Sequence, residues 1–557
     1  MSEPQDQSSP QQRPKQTPEQ TPKQTPEQQA KQPLEQSSEQ APKQISGDWL
    51  SAAAGTDVGT DTSQSDSLLP EQAIAQSSEE KQENSSIRAA IKQKIVKGGL
   101  YLTLRQLISV GMSIISILVI AKVLGPREYG ILVNALGIFY FITWTGRLGL
   151  HVYLIQQRDL RSDAPAQVLA FLNWLNVGIA TALIVGAPAI GNWTGEPAIA
   201  ELVRWLPLPI AADLAASVSV AMLERELSFA EVGLIEIAAQ FANYLIALPM
   251  VFLGFSYWGP IAGLGSRGLV MLLMAQYFYR IRWQWRWQWR FMKPALRYGL
   301  TFSLSHWVIS LRALTIPVLV TPIVGTEAAG LVSIAIRLSE QLSILRMVIR
   351  RMSISVMARL TGDAKVIRQT ISKGMAYQAL LIGAICSAFA CLDSWIIPVV
   401  FGEEWLQSTY IFPFIALSAM VRAMFDLHAG ALYAVDRNNE VTKSYMLYIA
   451  LLWAGCAFLM PIYGIWGYGI AELLTIISNA WLHYALNKLY GSPRYDAALW
   501  LTLAAMVPIM ASLLSPVVGG IAFVLGYGLV LLIPAVRAVP FDLLTMLRSR
   551  QAKPAKT

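Results

Sequence analysis

Charge is scarce in this chain. Only 14% of its 557 residues are charged, against a usual share of about 25%. Hydrophobic residues make up 54%, and mean hydropathy is +0.42. A water-soluble globule of this size has nowhere to hide so much apolar surface, so a soluble enzyme is excluded as a description of the whole. Cysteine is scarce too. Cys386, Cys391 and Cys456 are odd in number, sit in apolar runs and lack zinc-type spacing. A disulfide scaffold and a zinc site are thereby excluded, and the three read as small buried hydrophobes. The four histidines (His151, His306, His428, His483) are scattered without metal spacing. No Walker-type phosphate loop occurs, so ATP is not bound that way. No metal and no cofactor are expected.

What charge there is divides the chain. Residues 1–86 carry six Lys/Arg and fourteen Asp/Glu, a net of −8, and the remainder carries 38 and 22, a net of +16. The first part is a low-complexity tail with a four-residue repeat: Thr17-Pro-Glu-Gln, Thr21-Pro-Lys-Gln, Thr25-Pro-Glu-Gln. It is too poor in core-forming residues to offset its ordering entropy and reads as a disordered tether. It has no apolar core of the signal-peptide kind. A basic amphipathic stretch, Arg88–Lys97, follows. The basic remainder points to anionic lipid or an anionic substrate, and a nucleic-acid site is not needed to explain it.

From Leu100 onward, apolar runs of about 20 residues recur, the length that crosses a roughly 30 Å hydrocarbon core. Fourteen centres are expected, near residues 112, 139, 179, 211, 242, 269, 310, 340, 384, 420, 452, 477, 506 and 527. The last two are short, so twelve spans plus a hairpin also fit. With the N-terminus inside, the inside segments hold about 26 Lys and Arg against two outside, Lys122 and Arg127. That asymmetry places both termini in the cytoplasm. The outside loops are too short for a catalytic domain, and paired catalytic carboxylates are lacking, so the chain is read as no enzyme.

The chain also repeats itself. Leu124-Gly-Pro-Arg-Glu-Tyr-Gly130 follows the first span and Val324-Gly-Thr-Glu-Ala-Ala-Gly330 the seventh. Two six-helix bundles are expected, related by pseudo-twofold symmetry. The expected divisions are 1–86 (tail), 87–282 (first bundle), 283–297 (basic Trp-rich linker), 298–490 (second bundle) and 491–557 (two extra helices and a cytoplasmic tail). These turns, with Gly149-Leu150, Arg337-Leu338 and Phe401-Gly-Glu-Glu-Trp405, resemble the oligosaccharide flippases of the multidrug/oligosaccharidyl-lipid/polysaccharide exporter superfamily. The resemblance covers about residues 90–490. It implies an all-α, multi-pass protein of the bacterial inner membrane that moves polyprenyl-diphosphate-linked oligosaccharide outward by alternating access. Its implied partners are that lipid-linked oligosaccharide, membrane lipids and other polysaccharide-assembly proteins. Members often carry an acid in the seventh helix, and none stands between Ser303 and Thr321. The alternatives are an ion-coupled multidrug exporter of the same superfamily, a membrane enzyme of glycan assembly, and a scaffold for one.

Charges inside the spans are costly and mark sites. Arg422 and Asp426, four apart, are expected to neutralise each other, as are Arg337 and Glu340. Arg346, Arg350 and Arg351 are expected to snorkel. Arg147, Arg267 and Arg312 have no acid within a helical turn. With His306 and Arg337 they are the expected substrate-binding residues, since a guanidinium grips phosphate oxygens in pairs and stays protonated. Asp213, Glu236 and Glu340 are the candidates for ion coupling. Two further motifs have bland readings. Gly263-Leu-Gly-Ser-Arg-Gly268 sits inside a span, where small residues permit close packing. The segment Arg282–Arg290 alternates Trp with polar residues and reads as an interfacial anchor, or as a docking strip for the diphosphate headgroup.

Overall fold

The computed structural model describes residues 111–551, apart from 345, 347, 348, 350–352, 354–356, 358, 359, 361 and 362; side chains past Asp542 are described only at Thr545. The expected tail, Arg88–Lys97, Arg350 and Arg351 therefore lie outside the described residues. Every element between Leu150 and Gln551 is a helix. Helical residues stand at each of the fourteen expected centres. Eight helices are long and apolar enough to cross a bilayer, or ten if two bent pairs each count as one span. Large apolar side chains face outward along them: Val185, Leu253 and Phe458 are each 74% exposed. Only lipid covers such surface without penalty.

The helical stretch Gly111–Gln156 has 46 residues. At 1.5 Å per residue it is about 69 Å long, more than twice the hydrocarbon thickness. It folds back at Gly125, whose φ is +72°. A left-handed glycine closes one helix and the following Pro126, at fixed φ, opens the next. Ser113 and Tyr140, on either side of the turn, both lie by Tyr244. Gly325, with φ +92°, makes the corresponding turn 200 residues later. The two turns meet. A Cβ on Gly130 would overlap the Thr326 carbonyl, and one on Gly330 would overlap the Pro126 carbonyl. Each glycine thus packs on the residue after the other turn's left-handed glycine, a reciprocal contact that a pseudo-twofold axis between two bundles requires.

The loops expected outside do gather at one end. Arg127 pairs with Glu196 at 3.0 Å, Ser256 donates to Glu128, and Tyr129 meets Trp405 edge-on at 5.5 Å. The expected inside segments gather at the other. Arg225 donates to the carbonyls of Leu154 and Gln157, Arg368 to that of Tyr490, and Lys373 pairs with Asp542 at 3.0 Å. The packing of the two ends differs. At the outer end one continuous core joins both bundles, running from Leu132 and Ile210 to Ile334 and Phe412. At the end of the expected inside segments the cores are separate among the described residues, one around Leu169 and Val218, the other around Ile371 and Leu501. Among the described residues the bundles therefore share a core at the end of the loops expected outside and have separate cores at the other end.

Helix Trp289–Ser310 begins within the expected linker. Its inner half packs on the first bundle through Met292 and Ala295. Gly149 and Gly299 bring the backbones there within overlap distance of any added Cβ. Beyond Ser310 its ladder becomes irregular: a 3-10 turn at Leu311–Leu314, then a π-helical turn at Ile316–Val320. The two parts are bent by 41°. Gly263 and Gly268 pack on Asn243, Ala247 and Ala212 of neighbouring helices, which is the small-residue role expected of that motif. The three cysteines are free and buried.

Candidate functional site

A cavity of about 210 Å³ lies where the bundles face each other. Val133, Gly137 and Tyr140 come from the first bundle, and Arg312, Ser333, Arg337, Glu340 and Tyr468 from the second. Arg312 stands in the 3-10 turn, just before the bend at Thr315. A second cavity of about 160 Å³ continues into the second bundle, with Arg312, Arg346, Arg422, Asp426 and Tyr448 on its wall. Arg312 belongs to both. A third, of about 260 Å³, is lined by His306, Tyr140 and Trp144. The expected site residues thus divide. Arg312, Arg337, Glu340 and His306 line these cavities, whereas Arg147, Arg267, Asp213 and Glu236 line none of the three.

The arginines without an acid on their own helix find one on another. In the first bundle, Arg147 approaches Asp213 at 2.8 Å, and Arg267 reaches its other oxygen at 3.7 Å. Asp213 is buried on helix Pro207–Arg225. In the second, Arg312 lies 3.1 Å from Glu472 and 3.5 Å from Glu340. Arg422 also binds Glu472, at 2.8 Å, and donates to the Tyr448 hydroxyl at 2.5 Å. Arg337 reaches Glu340 at 3.8 Å, as its i,i+3 spacing led one to expect.

Three expectations are corrected. Arg422 and Asp426 do not neutralise each other: Arg422 turns to Glu472, and Asp426 accepts two hydrogen bonds from Arg346, at 2.6 and 3.1 Å. Arg346 accordingly does not snorkel. The cause is packing: the facing helices bring Glu472 to 2.8 Å from Arg422 and Arg346 to 2.6 Å from Asp426, so each group already has a buried partner. Nor do all the arginines expected at the substrate gather in one place. Those of the first bundle, Arg147 and Arg267, are engaged on Asp213 away from these cavities.

Glu472 was not singled out in the sequence. It is fully buried, on helix Ile465–Leu474. Its signal was present, for it is the single charged residue between Lys443 and Lys488. Counting the cluster, Arg312, Arg337, Arg346 and Arg422 face Glu340, Asp426 and Glu472, a balance of 4 − 3 = +1. The cluster is held by its pairs and, among the described residues, keeps one positive charge in surplus. Among the described residues no group of three or more His, Cys, Asp or Glu is placed to hold a metal ion. Outside the spans, the Gln167 amide and the Arg161 guanidinium donate to Asp163 and hold its carboxyl below the usual carboxylate range.

Residues 119–410, a little over half of the chain, match the family described as polysaccharide biosynthesis protein. The chain belongs to that family. The lipopolysaccharide biosynthesis protein WzxC of Escherichia coli (strain K12) is 21% identical over 435 residues, 75% of this chain and 87% of its own length. The succinoglycan biosynthesis transport protein ExoT of Rhizobium meliloti (strain 1021) is 26% identical over 166 residues, 29% of this chain and 33% of its own. Among solved structures, the lipid II flippase MurJ in an inward closed conformation matches with a TM-score of 0.60 and 11% identity, covering 77% of this chain and 97% of its own. An inward-facing multidrug resistance transporter of the MATE family matches at 0.52 and 15%, covering 70% and 98%. At those identities the structural likeness speaks for the fold alone. It bears out the all-α architecture of two symmetry-related bundles, and the family bears out the resemblance read from the turn motifs.

Proposed function

We propose that this protein is a flippase of the bacterial inner membrane. It carries polyprenyl-diphosphate-linked oligosaccharide to the outer leaflet for surface polysaccharide synthesis, without covalent chemistry. The observation that carries the reading is the cavity between the bundles, with Arg312 and Arg337 on its wall and a cationic surplus behind them. A lipid tail can stay in the bilayer, but two phosphates crossing a low-dielectric core need fixed positive partners. Bundles fused outside and divided inside suit loading from the inner leaflet. Both termini then lie in the cytoplasm, and residues 1–86 form a cytoplasmic tail ahead of bundles 87–282 and 298–490.

In this reading Arg312 and Arg337 bind the diphosphate, His306 lines the approach, and Glu340 is the counter-charge the substrate displaces. Arg147 and Arg267 serve as an entry pair held ready by Asp213. An ion-coupled multidrug exporter needs a carboxylate free for cations. Asp213, held between two arginines, is a poor one, and Glu236 lines none of the three cavities. The test is deletion of the gene followed by lipid extraction and leaflet-specific labelling. Lipid-linked oligosaccharide trapped in the inner leaflet is the expected result. Normal surface glycan with raised drug sensitivity would instead establish the exporter.

A further inference from the structure

The Trp-rich segment between the bundles has a defined structure that the transport reading does not use. From Arg280 to Gln288 the chain is neither helix nor strand but an extended strap. It lies along helix Ala164–Thr194. The Trp285 carbonyl accepts from Trp174 Nε1 at 2.9 Å, the Gln288 amide donates to Gln167 Oε1 at 2.8 Å, and Trp287 packs edge-on against Phe171 at 5.2 Å. Gln167 also donates to Asp163 at 2.9 Å, which fixes its amide and so pins the strap.

The pinning sorts the side chains. Ile281 and Trp287 turn inward, while Trp283, Trp285 and Trp289 stay 54–57% exposed. Arg280, Arg282, Arg286, Arg290, Lys293 and Arg297 are all exposed. Among the described residues none of these six has an acidic partner, and no acid occurs between Arg280 and Arg297. The strap's depth follows from its helix. Thirty-one residues are about 46 Å long, so measured from Thr194 roughly 16 Å project past the hydrocarbon on the inner side. That is about eleven residues, the stretch Ala164–Trp174 on which the strap rests. An extended backbone with few internal hydrogen bonds belongs there, among headgroups and water, and not in hydrocarbon. No strap residue lines any of the three cavities.

We propose that this strap is a binding site for anionic phospholipid headgroups of the surrounding bilayer. Arg282, Arg286 and Arg290 grip the phosphates, and Trp283, Trp285 and Trp289 lie at the level of the acyl ester groups. The occupant is bulk anionic lipid and not the transported diphosphate, because the strap faces the bilayer.

The test is native mass spectrometry of the full-length protein with phosphatidylglycerol and phosphatidylcholine offered in equal amounts. The wild type is expected to retain phosphatidylglycerol. Replacing Arg282, Arg286 and Arg290 together by glutamine should weaken that preference by about tenfold or more, given the attraction of each basic side chain to an anionic surface. The triple lysine variant keeps the charge and should retain most of it. A control removes equal charge elsewhere, at Arg437, Lys488 and Arg537, and should change little. Equal preference in the glutamine variant and the wild type overturns the proposal, as does an equal loss in the control. Displacement of phosphatidylglycerol from the wild type, but not from the glutamine variant, by equimolar farnesyl diphosphate would make the strap a diphosphate site and overturn it too.

Discussion

Replacing Glu472 by glutamine isolates what its buried carboxylate does. The group has no exposed surface and meets Arg312 at 3.1 Å, Arg422 at 2.8 Å and the Tyr448 hydroxyl at 3.3 Å. At an effective dielectric of about 20, a pair at about 3 Å gains roughly 5–6 kcal/mol before desolvation, and most of that gain is offset by taking the groups out of water. Removing the carboxylate alone does not return the arginines to water. Breaking a buried pair in this way costs about 3–5 kcal/mol. Glutamine keeps one acceptor oxygen, and Arg312 and Arg422 retain 22% and 12% exposure, so the lower end, about 3 kcal/mol, is expected. In thermal unfolding of the detergent-purified protein, followed by tryptophan fluorescence, the midpoint should fall by about 5 °C. Adding Arg422→Gln to Glu472→Gln restores the charge balance and should recover more than half of that loss. A single variant within about 1 °C of wild type would refute the reasoning, and so would a double variant that loses the sum of the two singles.

Arg312→Ala and Arg337→Ala should each abolish glycan export while the protein still reaches the membrane, with lysine rescuing only in part; full export from both alanine variants would move the site elsewhere. In a background free of Cys386, Cys391 and Cys456, Asn192→Cys and Gln407→Cys should label with an impermeant reagent from outside and Gln288→Cys should not; outside labelling at Gln288 would reverse the orientation. Asn192 is the position of choice because Thr194, beside it, is buried. Gly330→Val should force the outer ends apart and raise outside labelling of Tyr140→Cys, whereas unchanged labelling would mean that the Gly330 contact does not hold the gate. Deleting residues 1–80 should leave export and the membrane body intact, and a lost body would show that the tail does more than tether.

The helices were legible because a bilayer imposes length and composition on each span separately. All fourteen centres could be placed without knowing what packs on what. The turn glycines were legible for a related reason, since Gly125-Pro126 is a local instruction to end one helix and begin another. The ion pairs were not. A sequence displays partners three or four residues apart, and so Arg337–Glu340 was found and Arg422–Asp426 was wrongly joined. The partners that won, Glu472 at 50 residues from Arg422 and Arg346 at 80 from Asp426, are set by which helices touch. The bend just beyond Arg312 was equally hidden. Pro317 and Pro322 break a ladder, but where the break falls relative to the arginine depends on packing against helix Asn438–Tyr463, where Trp453 donates to Thr315.

If the proposed flippase works by alternating access, the reciprocal contact of Gly130 and Gly330 is part of a gate that must open and shut repeatedly. A gate must leak nothing when shut and yet come apart within one transport cycle. Interlocking leucines would seal well, but each buried side chain adds about 1.5–3 kcal/mol to the barrier against opening. Two glycine turns seated backbone on backbone exclude solvent by closeness alone. At this contact itself almost no methylene groups are buried and little side-chain freedom is at stake. Where the two turns touch, closeness is set by backbone shape and side chains add little to the cost of release; the continuous core around them, with Tyr129 on Trp405, carries the rest of what must part. Because each turn supplies both the glycine and the carbonyl of its pair, neither half can wear or tighten independently of the other, and the seal acts as one joint with a single stiffness.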